Sequence, residues 1–222
     1  NFRLLDLANA QPLPLDSAQT LSLNPGASAK VFHLNGHAGE YLALNLTGVT
    51  GGGARVWVID PAGSHLIEPA NALPGSSLSV GFQTSGRYTV VLEGAIGNSD
   101  PVELSWTASV VAPLTATLTI GNEISASTAV LGVPDKWNFT LNAPTRVVVD
   151  GLTGLGNTWR LRAGDGSLIK SGSLGDIEFL PLAAGAYTLE VQGDSAAVLG
   201  TYSLRMLDVA AAEMLTLDQA LI

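Results

Sequence analysis

A nine-residue segment in the middle of the chain recurs close to its end. Gly86–Gly94 reads Gly-Arg-Tyr-Thr-Val-Val-Leu-Glu-Gly, and 99 residues later Gly185–Gly193 reads Gly-Ala-Tyr-Thr-Leu-Glu-Val-Gln-Gly. In both segments apolar residues alternate with polar ones between two glycines, a pattern typical of a half-buried antiparallel strand between turns. An internal repeat of this period predicts two copies of one β-rich unit.

Length and composition fit this interpretation. A chain of 222 residues allows two copies, and a unit of roughly 100 residues is large enough to bury its own core. Hydrophobic residues make up 46% of the chain and charged residues only 13%, with 25 glycines, which favours thin sandwiches with many turns over helical bundles. We therefore predict an all-β fold of two tandem antiparallel β-sandwich, jelly-roll-like domains.

The two ends of the chain also match each other. Phe2–Asp16 aligns with Leu204–Asp218 at an offset of 202 residues, and Trp106–Ile120 is a weaker copy in phase with both. Pro12 and Pro14 exclude a helix at the first of these ends, so the equivalent residues 209–217 are also predicted to be extended. The chain is expected to be a piece of a longer one. Its predicted parts are the closing strand of a preceding repeat and a linker (1–14), two sandwiches (15–112 and 113–210) and the start of a following repeat or linker (211–222).

Eight strand candidates occur in each copy, the number that a jelly roll needs. In the first copy they are Gln19–Leu23, Lys30–Asn35, Tyr41–Thr47, Arg55–Asp60, His65–Glu68, Ser77–Phe82, Arg87–Glu93 and Glu103–Val110. In the second copy they are Ala116–Ile120, Lys136–Asn142, Arg146–Leu152, Thr158–Arg162, Ser167–Lys170, Ile177–Leu180, Ala186–Gln192 and Thr201–Leu207.

The turns give a first alignment of the two copies. Val56–Ser64 aligns with Thr158–Ser167 if the second turn has one extra residue, and Leu46–Gly48 aligns with Leu152–Gly154. Asp-Pro-Ala-Gly and Ala-Gly-Asp-Gly supply the proline and glycine that hairpin turns use. This alignment predicts that the tryptophans inside the first pair of segments occupy equivalent positions.

These residues resemble a known family. An early aromatic strand, Trp-x-Ile/Leu before a Gly-Ser turn, the Gly-x-Tyr-Thr segment and a final Tyr-Ser-Leu strand are similar to the bacterial pre-peptidase C-terminal domain. The resemblance covers both copies and rests mainly on core and turn residues. It implies an extracellular β-sandwich module, of the kind found behind secreted peptidases and in arrays within large secreted or surface proteins. It transfers no ligand residue to this chain.

Charge limits the partners. The net charge is −9 and there is no cysteine, so nucleic acid and anionic membranes are poor partners and disulfides are excluded. No apolar run approaches the ~20 residues of a membrane-spanning helix. Divalent cations suit an acidic surface, and weak Ca²⁺ candidates lie beside Gly, Ser or Pro in turns, where carboxylates also cap their own backbone. These candidates are Asp60, Asp100, Asp165, Asp176 and Asp194.

No catalytic set is predicted. Asp60, Ser64 and His65 have the residue types of a hydrolase triad, but they lie in and beside one tight turn, whereas a triad needs groups converging from separate elements. His33, His37 and His65 are each interpreted as solvated surface residues. The Gly51–Gly53 run lacks the lysine and helix of a phosphate loop and is interpreted as a hairpin turn. The chain is therefore expected not to be an enzyme. No cofactor is assigned from the sequence, and Ca²⁺ is the one candidate.

The four tryptophans leave a binding function open. Trp106 and Trp137 fall on inward strand phases, while Trp57 and Trp159 are expected to be equivalent core residues. A carbohydrate platform would require one of them to be exposed.

Two functions follow from these features. The first is a secreted or cell-surface spacer, stalk or presenting module, with adhesion as an additional role, whose partners are the neighbouring repeats. The alternative is an accessory module of a secreted hydrolase that binds carbohydrate or protein, with or without Ca²⁺. A large exposed aromatic cleft would favour binding, and smooth polar faces would favour the spacer.

Overall fold

A computed structural model of the chain describes residues 7–72, 74–154, 156–175, 178–193 and 199–211. These residues form two compact units. The first contains the described residues up to Pro113 together with Leu131–Val133. The second contains Leu114–Val130 and the described residues from Pro134 onward.

Within the described residues, each unit contains nine strands. Those of the first unit are β1 (Gln11–Pro12), β2 (Gln19–Leu23), β3 (Ala29–Gly36), β4 (Tyr41–Thr50), β5 (Ala54–Ile59), β6 (His65–Ala72), β7 (Ser77–Gly81), β8 (Gly86–Gly94) and β9 (Val102–Val111). Those of the second unit are β10 (Thr115–Thr117), β11 (Glu123–Thr128), β12 (Asp135–Leu141), β13 (Thr145–Thr153), β14 (Thr158–Ala163), β15 (Leu168–Ser173), β16 (Glu178–Leu182), β17 (Gly185–Gln192) and β18 (Gly200–Asp208).

The two units have the same topology, strand for strand. The first has a five-stranded sheet in the order β1-β3-β8-β5-β6 and a four-stranded sheet in the order β2-β9-β4-β7. The second repeats both orders as β10-β12-β17-β14-β15 and β11-β18-β13-β16. Without the first strand of each unit, this is the eight-stranded, two-sheet order of a jelly roll. The predicted all-β sandwich fold is confirmed.

A short parallel strand at the edge of each five-stranded sheet departs from the expected antiparallel pattern. β1 pairs with β3 in parallel, and β10 pairs with β12 in parallel. The prediction of one strand at Ala116–Ile120 is therefore wrong, since β10 ends at Thr117 and the counterpart of β2 is β11. The sequence did not reveal β11 because it contains one large apolar residue, Ile124, and alternates only weakly.

The alignment of Trp57 with Trp159 is also wrong. Trp159 lies opposite Val191 of β17, whereas Trp57 lies opposite Val91 of β8. Val191 is four residues after the repeated tyrosine and Val91 only three, so the two tryptophans differ by one position. A shift of one residue in a strand moves the side chain to the other face. Trp159 is accordingly fully buried in the core, and Trp57 lies half-buried on the outer face of its sheet.

The corrected register gives both hairpin turns the same length. Asp60 N donates to Ser64 O, and Ala163 N donates to Ser167 O. The extra residue predicted for the second turn is therefore absent.

A β-bulge lies at the same place in both four-stranded sheets. In the first unit the register shifts between Leu46 and Gly48, and in the second between Gly151 and Thr153. The proposed match of Leu46–Gly48 with residues 152–154 is thus one residue too late. Leu46 is buried in its core, whereas Gly151 leaves room for the backbone carbonyl of Leu174.

The repeated tyrosines fill equivalent core positions, as their strand phase predicts. Tyr88 and Tyr187 are both buried. The Tyr88 hydroxyl donates to Thr84 O at 2.6 Å, and the Tyr187 hydroxyl donates to Ala183 O at 2.8 Å. Each phenol hydroxyl thus donates to the carbonyl four residues upstream. This bond satisfies the only polar atom of the side chain, which burial would otherwise leave without a hydrogen-bond partner.

The final described residues form a short turn. Val209–Ala211 is a single 3-10 turn, so the extended conformation predicted for this segment is wrong there. Residues 212–217 lie outside the described residues.

Candidate ligand-binding groove

A shallow groove crosses one end of the five-stranded sheet of the second unit. Its walls and floor come from the segment after β10, from β12, from the start of β17 and from the turn after β14, and its volume is about 730 Å³. Four threonines and one asparagine line it, and we call it the threonine groove. These side chains are Thr117, Thr119, Asn138, Thr140 and Thr188. The volume lies within the range of roughly 300–1,000 Å³ that is usual for small-ligand pockets.

Strand alternation positions these side chains. Asn138 pairs with Thr188 across β12 and β17, and both point to the outer face while their neighbours Phe139 and Tyr187 are buried. The Thr188 hydroxyl donates to Asn138 Oδ1 at 2.7 Å. The Phe139 and Tyr187 rings stack with centroids 5.3 Å apart beneath the sheet. The floor of the groove is therefore fixed by the core rather than by a loop.

The groove is open because two of its residues are small. Gly164 follows the last residue of β14, and Ala186 precedes the repeated tyrosine. The equivalent positions in the first unit hold Pro61, which follows the matching turn residue, and Arg87, which precedes Tyr88. Both side chains are larger than those of Gly164 and Ala186, so the first unit has less room at these two positions.

Only neutral side chains occur among the described residues that line the threonine groove. Such a lining offers hydrogen bonds and van der Waals contact but no proton donor or acceptor near neutral pH. It is suited to binding rather than to acid–base chemistry.

Asp60, Ser64 and His65 are not arranged as a relay. Asp60 Oδ1 accepts hydrogen bonds from the backbone NH groups of Ala62 and Ser64, at 2.9 and 2.7 Å. His65 instead packs edge-on against Trp57, with ring centroids 5.2 Å apart. The aspartate thus caps its own turn.

The calcium candidates are separated in the described part of the chain. Asp165 Oδ1 accepts hydrogen bonds from both the hydroxyl and the backbone NH of Ser167, which lower its pKa. Asp100 is exposed in the bend before β9. Asp176 and Asp194 lie outside the described residues. Among the residues that the structure does describe, no group of three or more His, Asp or Glu side chains could hold a metal ion.

The remaining histidines occupy different environments. His37 is exposed, and its backbone NH donates to Glu40 Oε2, which lowers the pKa of that carboxyl. His33 is only half-exposed, and its Nδ1 is buried without a hydrogen-bond partner among the described residues. A fully solvated His33 was therefore the wrong expectation, because the parallel strand β1 covers this side of β3.

Trp57 is the tryptophan nearest to solvent. Its Nε1 donates to Glu93 Oε1 at 2.9 Å, while Trp106, Trp137 and Trp159 are buried. Because Trp57 is half-buried and bonded along its edge, it is not an open platform for stacking.

The sequence did not reveal two connected, buried hydrogen bonds in the second unit. Trp137 Nε1 donates to the Tyr202 hydroxyl at 2.8 Å, and this hydroxyl donates to Asp135 Oδ2 at 2.9 Å. Burial raises the pKa of Asp135, and the hydrogen bond from Tyr202 partly opposes this effect. Burial also raises the pKa of Tyr202, so the phenol remains a donor. None of these three residues lines the threonine groove.

A second, apolar groove of about 530 Å³ lies on the four-stranded sheet of the same unit. Phe179, Val148 and Leu207 form a row across three strands, and Phe179 is 62% exposed. The equivalent row in the first unit is Ser79, Ala43 and Ser109, which pair in the same order.

Comparison with known proteins yields only distant similarities. Neither a protein-family model nor a curated protein matches the chain. The CUB1-EGF-CUB2 region of human MASP-1/3 is similar over 85% of this chain and 99% of its own, at 8% identity and a TM-score of 0.28. The CBM22-1–CBM22-2 tandem of Paenibacillus barcinonensis Xyn10C is similar over 80% of this chain and 82% of its own, at 10% identity and a TM-score of 0.26.

A third solved structure, tripeptidyl peptidase 2, is similar over 88% of this chain but only 24% of its own, at 9% identity and a TM-score of 0.32. The architecture of the chain therefore rests on its own strand pairing.

Within the described residues, no helix has the length and apolarity needed to cross a membrane.

Proposed function

We propose that this chain is a non-catalytic pair of β-sandwich modules, of the pre-peptidase C-terminal type, from a large secreted or cell-surface bacterial protein. In this role it spaces or presents its neighbours. The main support is the repetition itself: two units with one strand order are what a series of similar load-bearing modules needs.

The distribution of polar groups also supports this proposal. The carboxylates Asp60 and Asp165 are used to hold hairpin turns. The described lining of the threonine groove holds neutral side chains, which favour contact with a neighbour over acid–base chemistry.

A pulling experiment tests the spacer role directly. The chain is held by handles at its two ends in an optical trap and stretched until it unfolds. Two separate unfolding events are expected, each lengthening the chain by roughly 300–350 Å, since about 100 residues extend at ~3.4 Å each. Gradual extension without discrete events would contradict a load-bearing role.

A second experiment addresses catalysis. The chain is incubated with panels of polysaccharides, peptides and esters, and the products are followed by mass spectrometry. No turnover is expected, and turnover that survives repurification of the chain would overturn the non-catalytic assignment.

A second candidate function is ligand binding by an accessory module of a secreted hydrolase, for which a Ca²⁺ requirement stays a proposal. The threonine groove favours this candidate, because two of its lining residues, Gly164 and Ala186, are small where the first unit has Pro61 and Arg87.

A further inference from the structure

We propose that the threonine groove binds a neutral glycan chain. This proposal rests on the second candidate function, ligand binding, and adds the site and the class of ligand. It is independent of the spacer role.

The lining has the chemistry of a neutral polyol site. Each threonine hydroxyl is one donor and two acceptors, and the Asn138 amide adds two donors and an acceptor. The threonine methyl groups provide small apolar surfaces between these polar atoms. A sugar ring presents the same alternation, with hydroxyl groups around its rim and C–H bonds on its faces.

The absence of charge in the groove lining narrows the ligand class. The described lining contains no cationic side chain to pair with a carboxylate or sulfate, and no anionic one to pair with an amine. The chain as a whole carries a net charge of −9, which repels acidic polymers. Uncharged glycans therefore fit the site better than uronates, sulfated glycans or amino sugars.

The groove is also organised before a ligand arrives. The Thr188 hydroxyl is bonded to Asn138 Oδ1, so the Nδ2 group of Asn138 is directed away from Thr188 and is available as a donor. Both residues stand on paired strands above the stacked rings of Phe139 and Tyr187. Such rigidity reduces the entropy that a ligand must lose on binding.

A peptide is a poorer occupant. Peptides that add to a sheet are held by a main-chain ladder and by pockets for alternate side chains. Here Asn138 and Thr188 stand on the central strands β12 and β17, whose main chains are paired on both sides, and Thr117 ends the short edge strand β10. Hydroxyl-rich side chains above a saturated sheet favour a ligand that brings its own hydroxyl groups.

The first unit supplies matched variants. Ala186→Arg installs the residue that the equivalent position already holds in Arg87, so the fold should accept it while the groove is closed. Thr188→Ala removes one hydroxyl from the groove, and Thr89→Ala removes the equivalent hydroxyl from the first unit. Asn138→Ala removes the amide.

The test is affinity electrophoresis through gels containing neutral xylan, mixed-linkage β-glucan, galactomannan or amylose, with polygalacturonate and heparin as charged polymers. Titration calorimetry with the matching oligosaccharides follows. At least one neutral glycan should bind the full chain, and Thr188→Ala and Asn138→Ala should each weaken it about tenfold. Ala186→Arg should abolish binding, and Thr89→Ala should leave it unchanged. Circular dichroism and the melting temperature confirm that each variant is folded.

Several outcomes would overturn the proposal: no binding to any neutral glycan, preference for the charged polymers, or glycan binding that persists in Ala186→Arg. Binding of extended peptides in place of glycans, lost in Ala186→Arg, would assign the groove to a peptide and would also overturn it. None of these results affects the pulling experiment, so failure of the glycan proposal and failure of the spacer proposal are distinguishable.

Discussion

Tyr202 and Asp135 form a buried hydrogen bond that exists in only one of the two otherwise matching units. The equivalent positions in the first unit hold Leu104 and Lys30, as the shared register across the sheets shows. The indole NH of Trp137 completes the chain in the second unit, where the first unit has the hydrocarbon ring of Phe32. One sandwich scaffold therefore accepts connected buried hydrogen bonds in one unit and Leu104, Lys30 and Phe32 at the same positions in the other.

This difference predicts a pH-dependent contribution to the stability of the second unit that the first unit does not share at this site. Burial raises the folded-state pKa of Asp135 above its ordinary value of 3.8. The protonated form therefore stabilises the fold, fully at pH below 3.8, and this contribution is lost as the pH rises through the raised pKa. Asp135→Asn keeps a neutral side chain at every pH. As the pH rises, the free energy of unfolding of Asp135→Asn should increase relative to that of the wild type. The increase should be about 1.4 kcal/mol for each unit by which the pKa of Asp135 is raised.

Urea denaturation from pH 3 to pH 8, roughly spanning both sides of the usual aspartate range, measures this difference. Tyr202→Phe provides a second variant, because its hydroxyl lowers the pKa of Asp135. Removing the hydroxyl should move the transition to higher pH. A difference between wild type and Asp135→Asn that is the same at all pH values would exclude a raised pKa.

The repeated tyrosines predict matched losses of stability. Tyr88→Ala and Tyr187→Ala should each cost about 3–5 kcal/mol, the usual range for a large buried aromatic side chain. Tyr88→Phe and Tyr187→Phe keep the ring and lose only the bond to an upstream carbonyl, for about 0.5–1.5 kcal/mol. Hydrogen exchange followed by mass spectrometry assigns each loss to its unit. A cost below about 1 kcal/mol for either alanine variant would conflict with their core positions.

The bulge in the second unit predicts a strong effect of a single methyl group. A Cβ at Gly151 would overlap the carbonyl oxygen of Leu174, whereas a Cβ at Gly48 in the matching bulge would make ordinary contact with Ser105 at 3.5 Å. Gly151→Ala should therefore destabilise its unit by about 1–3 kcal/mol or more. Gly48→Ala is the control and should change stability little. Equal effects of the two variants in thermal unfolding would mean that the backbone at Gly151 yields without cost.

The turn aspartates predict the response to calcium. Asp60 and Asp165 already use Oδ1 to accept hydrogen bonds from their own turns. We therefore expect Asp60→Asn and Asp165→Asn to leave the change in melting temperature between EDTA and millimolar Ca²⁺ the same as in the wild type. Loss of a wild-type calcium response in either variant would identify that residue as a ligand.

Much of the fold was accessible from the sequence because alternation sets the face of each side chain. Tyr88 and Tyr187 were placed correctly, since their segments align without gaps. The tryptophans were misplaced because the alignment matched Trp57 with Trp159 on residue type alone. The two side chains lie on opposite faces of their sheets. A pattern of period two cannot reveal a shift of one position when both faces carry large apolar residues.

The threonine groove could not be predicted from the sequence. Its polar residues are ordinary outward positions of strands, and its existence depends on Gly164 and Ala186 being small where Pro61 and Arg87 are large. Comparing these positions needs the correct register of the two hairpins. The alignment of Trp57 with Trp159 had shifted that register by one residue. Likewise, Asp135 and Tyr202 lie far apart in sequence, so only the packing of the two sheets brings them into contact.

The parallel strands β1 and β10 have a consequence for aggregation. Each is drawn from the segment that precedes its sandwich, and each covers the outer edge of a long strand, β3 or β12. An uncovered edge of this kind recruits strands from other molecules. The covering strands are poor templates themselves, because β1 includes Pro12 and β10 is only three residues long. A version of the second unit that starts after Thr117 would lose this cover, and its β12 would be open to intermolecular pairing.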